Sequence, residues 1–286
     1  MKKLWTLCAA LLSVATMASA QTKLTCCAKP TANATEAFAM LATNEDFSGG
    51  HDAPLPYAYE GQGEMIEFKT TDGQTGHGFE IKSNVRSDKY LFIIHEWWGL
   101  NDYIKKEAAT YANELKGVNI IALDLYDGQV ATTADEAGKL MQGVKTERAE
   151  AIVRGAILYA GPKAQVASIG WCFGGGWSLQ TALLAGPKAV GCVMYYGMPE
   201  KDVTKLKTLN TDVLGIFATQ DKWINPEVVA QFQKDMAAAK KKVTIKSYDA
   251  DHAFANPSNP KYNQAFSAQA HALALEYLRK NFKLKS

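Results

Sequence analysis

The sequence predicts an α/β fold: a mostly parallel sheet with helices on both faces, preceded by an N-terminal hairpin. Two observations carry this expectation. Apolar runs such as "KYLFIIHEW" (89–97) and "VNIIALDLY" (118–126) are continuous rather than alternating, as expected of strands covered on both faces. Segments with helical spacing separate these runs, and strands that alternate with helices generally pair in parallel.

The elements follow in chain order. "EMIEFKT" and "GHGFEIK" alternate in polarity around the turn Asp72-Gly73 and form the hairpin. After the first long apolar run, "DYIKKEAATYANELK" has helical spacing, with Asn101 or Asp102 as its N-cap. The second run leads to two helical segments, near 133–143 and 146–160. "AQVASIGW" is a strand, Gly175 to Leu184 a helix, and "AVGCVMYYG" and "DVLGIFATQ" further strands. "PEVVAQFQKDMAAAKK" is a helix, "KVTIKSYDA" a strand, and "NQAFSAQAHALALEYLRKNF" a closing helix.

Composition narrows the class. The chain has 286 residues, 47% hydrophobic and 21% charged, with a net charge of +2. That is globular, and long enough to bury a core without staples. The basic residues are scattered, so no nucleic-acid footprint is expected. Residues 1–20 read as a secretory signal peptide cleaved after Ala20: two lysines, an apolar stretch from Leu4 to Met17, then Ala18-Ser19-Ala20. The mature protein is therefore expected to be exported, periplasmic or secreted, with no membrane span. Residues 21–60 read as an extended, loop-rich lead segment, and 61–286 as one α/β domain. No oligomer is legible, and a monomer is expected. Of five cysteines, Cys8 leaves with the leader and Cys192 reads as a buried strand residue. Cys26 and Cys27 are left without a role, and no disulfide framework is expected.

In open α/β sheets, sites lie beyond the carboxyl ends of the strands. The positions to inspect are therefore Glu96, Asp124, Tyr126, Cys172, Asp221 and His252. Cys172 stands in "GWCFGG", with Gly170 and Gly174 two residues to either side. This is the G-x-S-x-G turn with sulfur for oxygen, a strand-to-helix elbow so tight that its flanking positions must be small. The helix N-terminus after it favours a thiolate. A thiol is mostly protonated at neutral pH and needs a base, for which His252 is suited, with Asp221 to fix its tautomer. Asp249 and Asp251 are nearer in sequence, but adjacent side chains of an extended segment point apart. His51, His77 and His271 stand alone and receive no role. No spacing of His, Cys and Asp marks a metal site, and no phosphate loop is present.

"HEWWGLN" (95–101), "DLYDG" (124–128), "GWCFGG" (170–175), "QDKWINPE" (220–227) and "DHAFANP" (251–257) together resemble the dienelactone hydrolase family, in order, from about residue 60 to the end. The resemblance implies an α/β-hydrolase fold, no cofactor, and thiol-dependent hydrolysis of a small ester or lactone. It implies Cys172 as nucleophile, Asp221 as acid and His252 as base. It further implies that Glu96 contacts the resting thiol, and that the amides of Trp97 and Phe173 form an oxyanion hole. Trp98, Tyr126, Trp171 and Asn256 are candidate pocket residues. The family's carboxylate-binding arginine, four residues after the histidine, is here Asn256, so neutral substrates are expected. An Asn256→Arg change is expected to restore the clamp. Two other classes compete: a non-catalytic binding protein on a hydrolase fold, and a thiol-redox protein pairing Cys172 with Cys26 or Cys27. The second lacks a C-x-x-C pair.

Overall fold

The computed structural model describes residues 33–284. The leader and Cys26 and Cys27 lie outside the described residues. Eight strands form one sheet: β1 (Glu64–Lys69), β2 (Thr75–Ile81), β3 (Lys89–Ile94), β4 (Asn119–Asp124), β5 (Gln165–Trp171), β6 (Ala189–Tyr195), β7 (Val213–Ala218) and β8 (Val243–Tyr248). Their spatial order is β1-β2-β4-β3-β5-β6-β7-β8. β1 pairs with β2 and β2 with β4 antiparallel, while every pairing from β4 to β8 is parallel. β3, β4, β5 and β7 are buried along almost their whole length, which is why their sequences show no alternation.

The helices take their faces from the winding. Parallel crossovers are right-handed. The chain steps from β3 to β4 in one direction, then from β5 through β8 in the other. α3 (Asp102–Glu114) therefore lies on one face. α4 (Ala134–Gly143), α5 (Thr146–Tyr159), α6 (Phe173–Ala185), α7 (Val203–Leu206) and α8 (Pro226–Ala238) lie on the opposite one. α9 (Gln264–Asn281) returns to the α3 side, where His271 Nε2 meets Glu114 Oε2 at 2.6 Å. The reversal falls between β3 and β5, whose register pairs Ile94 with Gly170. The segments that follow, His95–Trp98 and Trp171–Phe173, thus leave the sheet side by side at a topological switch point, where such sheets bind ligands.

Two sequence expectations are corrected. α6 begins at Phe173, directly after Cys172, rather than at Gly175. The lead segment is not extended throughout: it forms α1 (Ala34–Ala39), a 3-10 turn (Met40–Thr43) and α2 (Glu45–Gly49). Asn33 caps α1 by accepting from Glu36 N, and Asn44 caps α2 by accepting from Asp46 N and Phe47 N. Helices this short are marginal alone. They are held by Phe38, which packs on Phe173, and by Phe47, which is fully buried against Trp97 and Trp223. Each buried aromatic of this kind contributes about 1.5–3 kcal/mol.

Candidate active site

The elbow at Cys172 is built from backbone contacts. Cys172 sits at φ 57°, ψ −118°, a conformation that costs a non-glycine residue about 1–3 kcal/mol. Its N–H donates to the Tyr195 carbonyl at 3.0 Å, and its own carbonyl accepts from Gly175 N at 3.0 Å. A Cβ at Gly170 would collide with the Gly174 carbonyl, and one at Gly174 with the carbonyls of Ile94 and His95. The two glycines of the motif are therefore required by the approach of α6 to β3 and β5. The Phe173 amide acts to lower the thiol pKa.

Two residues from other strand ends line up behind the sulfur. His252 Nε2 lies 3.4 Å from Cys172 Sγ, and His252 Nδ1 lies 2.6 Å from Asp221 Oδ2. Asp221 Oδ1 accepts from Trp223 N and Ile224 N, each at 2.9 Å. Burial acts to raise the Asp221 carboxyl, but His252 and these amides outweigh it and hold the pKa below the ordinary value. Burial likewise acts against the His252 imidazolium, yet Asp221 and the sulfur hold its pKa well above the ordinary value. The Cys172 thiol is pushed up by burial, despite the opposing pull of His252. Asp249 and Asp251 are engaged elsewhere, with Gln220 and Lys261 respectively.

Glu96 is buried beside this cluster. Its oxygens accept from Tyr196 Oη at 3.3 Å and from Asn256 Nδ2 at 2.5 Å. The expected contact of Glu96 with the resting thiol is thus not made: the sulfur pairs with His252, and Glu96 acts on it only through space. Burial pushes the Glu96 carboxyl up to about 7, and its charge in turn raises the thiol. His95, passed over in the sequence, fixes the Glu96 backbone. Its Nε2 accepts from Leu125 N at 3.1 Å, so Nδ1 carries the proton and donates to the Glu96 carbonyl at 2.5 Å. Among the described residues, nothing accepts from the Trp97 amide that follows.

A cavity of about 440 Å³ opens beside Glu96, with Trp98, Trp171, Tyr195 and Asn256 in its wall. Tyr126 does not line it. That ring packs against His95 and Phe173. The ionisable groups of the cavity are Glu96, Lys106, Glu107, Glu114 and His271, and no arginine is among them. Arg148 is tied to Asp72 and Asp127 instead. Asn256 is already committed to Glu96, and an arginine in its place would meet that carboxylate first. The expected clamp from Asn256→Arg therefore does not follow.

The residues above lie within the span matched by the profile of the dienelactone hydrolase family, residues 79–282. The chain belongs to the dienelactone hydrolase family. It is accordingly a hydrolase of that type, with an α/β-hydrolase fold. It is 28% identical over 211 residues to Protein usf of Aquifex pyrophilus, covering 68% of this chain and 87% of that protein. It is 27% identical over 204 residues to the carboxymethylenebutenolidase of a Pseudomonas species, covering 66% of this chain and 84% of that enzyme. A dienelactone hydrolase-like promiscuous phosphotriesterase from metagenomic libraries shares the fold, with a TM-score of 0.65 and 22% identity over 77% of this chain and 99% of that one.

His51 is the residue the sequence hid. It follows α2, is buried, and its ring centroid lies 4.5 Å from that of Trp97 and 5.7 Å from that of His252. Its place in the lead segment carried no signal for this. Cys192, by contrast, lies in β6 as expected, with its thiol pushed up to about 12 by burial.

Proposed function

We propose that this protein hydrolyses neutral carboxylic esters or lactones through an acyl-enzyme on Cys172. The observation that carries the proposal is the Cys172–His252–Asp221 chain of contacts, 3.4 Å and 2.6 Å, at the strained elbow. In this reading Asp221 makes His252 a stronger base and holds its proton on Nδ1, leaving Nε2 to face the sulfur. The thiol proton passes to Nε2 as the sulfur attacks the carbonyl carbon. The carbonyl oxygen gains negative charge between the amides of Trp97 and Phe173. Collapse of the tetrahedral intermediate breaks the C–O bond, and His252 returns the proton to the leaving alkoxide. Water then attacks the thioester, giving up a proton to His252; collapse breaks the C–S bond, the acid product departs, and the thiolate takes the proton back from His252.

Glu96 restrains the thiol in this account, because its charge raises the thiol pKa. Glu96→Gln removes that charge, so iodoacetamide labels Cys172 faster; roughly tenfold corresponds to one pKa unit in the thiol. The effect is largest above pH 7, where Glu96, with its pKa near 7, is ionised in the native protein. Equal rates in the two proteins across that range contradict the role.

The cavity supports a neutral substrate. A carboxylated lactone beside Glu96 would face Glu96, Glu107 and Glu114, with Lys106 and His271 as the basic groups of the wall and no arginine to hold it bidentately. The loss of one charged hydrogen bond costs about 1.5–3 kcal/mol, roughly 10- to 150-fold. The methyl ester of a carboxylated lactone is therefore turned over with the higher kcat/KM, by tenfold or more on that estimate. Preference for the free carboxylate refutes the assignment. The leader pattern supports export to the periplasm or medium, and a mature N-terminus at Gln21 is the corresponding result of N-terminal sequencing.

A further inference from the structure

Two imidazoles and a thiol from three distant parts of the chain meet at one point. One ligand atom each of His51, Cys172 and His252 lies within 4.8 Å of the other two. All three side chains are more than nine-tenths buried, at 4%, 1% and 5% exposure. His51 Nδ1 lies 2.6 Å from the Phe47 carbonyl, which can only accept, so this nitrogen carries the proton. The Nε2 of His51 is then left to offer a lone pair, buried and without a hydrogen-bond partner among the described residues. An acceptor left bare in this way is costly and calls for an occupant.

We propose that His51, Cys172 and His252 form a binding site for Zn²⁺. The donor set is that of a three-ligand zinc site with one open position. Each imidazole is also held at its other nitrogen, as ligating histidines usually are: His252 by the Asp221 carboxylate and His51 by the Phe47 carbonyl. Zinc–sulfur and zinc–nitrogen bonds of ~2.3 Å and ~2.0–2.1 Å at a tetrahedral angle place N and S roughly 3.5 Å apart. The His252–Cys172 separation is already 3.4 Å. A second cavity, about 400 Å³, reaches this point from solvent and is lined by His51, His252, Glu45, Asp46 and Asp251 among others. Lys222 and Lys261 stand in the same wall, Lys261 paired with Asp251, and the cavity supplies an entry path to both imidazoles.

On binding, the thiol proton leaves to buffer, the sulfur forms the Zn–S bond, and the two Nε2 atoms donate their lone pairs. The thiolate is then no longer free to attack a carbonyl, so the site switches hydrolysis off reversibly. The metal site itself stands apart from the catalytic proposal, since metal binding is read without substrate.

The test uses the full, reduced protein titrated with Co²⁺ and then Zn²⁺. One equivalent of Co²⁺ gives a thiolate-to-metal charge-transfer band in the near ultraviolet, and Zn²⁺ displaces it. Cys172→Ser abolishes the band. His51→Ala and His51→Gln each weaken Zn²⁺ at least ~10-fold, since losing a ligand exceeds the usual cost of losing a ligand's outer partner. Ester hydrolysis without metal shows that the His51 variants fold, and unaltered circular dichroism shows that Cys172→Ser does. In the unaltered protein, one equivalent of Zn²⁺ shields Cys172 from alkylation and shifts the His51 imidazole nitrogen resonance. The proposal is overturned by a band that persists in Cys172→Ser, as thiols of Cys26 and Cys27 would give. Unchanged affinity in both His51 variants, or an unmoved His51 resonance in the native protein, overturns it equally.

Discussion

Cys172→Ala lowers kcat on a chromogenic short-chain ester by at least ~10³-fold, the scale set by removal of a nucleophile from a catalytic triad. The loss follows from geometry. No other nucleophile stands at the elbow, and Cys192, the other cysteine among the described residues, is buried in β6. His252→Ala loses a similar amount, because the base in contact with the thiol, His252 Nε2 at 3.4 Å from Sγ, is then gone. The double variant loses little more than either single one, since a base without a nucleophile does nothing. Additive losses would mean that the two side chains act independently, which the contact between them does not allow. The fold survives these changes, and unaltered circular dichroism checks that. A non-catalytic binding protein on the same fold would show no turnover for Cys172→Ala to lose.

Asp221→Asn is expected to lower kcat by roughly 10³–10⁴-fold, although the side chain is nearly isosteric. Asp221 Oδ1 accepts from two backbone amides, so the carboxamide oxygen of an asparagine takes that place and its NH₂ faces His252 Nδ1. Nδ1 must then accept, the ring proton moves to Nε2, and no lone pair faces the thiol. The same change alters stability with pH. The Asp221 pKa is lowered from 3.8, so its contribution is present above that value and lost as pH falls through the folded pKa. The His252 pKa is raised above 6.5, so its contribution is complete below 6.5 and lost as pH rises through the folded pKa. Native protein therefore exceeds Asp221→Asn in stability most between the two ordinary values, 3.8 and 6.5, and the gap narrows on either side. Denaturant unfolding of both proteins across pH measures it; a gap constant with pH contradicts the ion pair.

The sheet and the elbow are legible because burial on both faces removes alternation. β3, β4 and β7 are plain apolar runs, and G-x-C-x-G is forced by collisions that any Cβ at Gly170 or Gly174 would meet. Strand order is not written locally, and neither is the winding reversal that brings Glu96 beside Cys172. α1 and α2 are too short for periodicity to show, and the asparagine before each, Asn33 and Asn44, fits a turn as well as a helix cap. His51 was illegible for a deeper reason. Its environment is made by Trp97 and His252, residues supplied by β3 and β8 ends far along the chain. The partner of Asn256 was hidden in the same way: its position suggested a vacant clamp, whereas its amide serves Glu96.

The central claim is that Cys172 carries the acyl group, and the direct measurement is mass spectrometry of enzyme acid-quenched during turnover of an aryl ester with a slowly hydrolysed acyl group. The account predicts one acyl group per chain, located on the peptide that contains Cys172, appearing with the first equivalent of released phenol and absent in Cys172→Ala. Full turnover with no acyl group on that peptide, together with undiminished activity of Cys172→Ala, would contradict it.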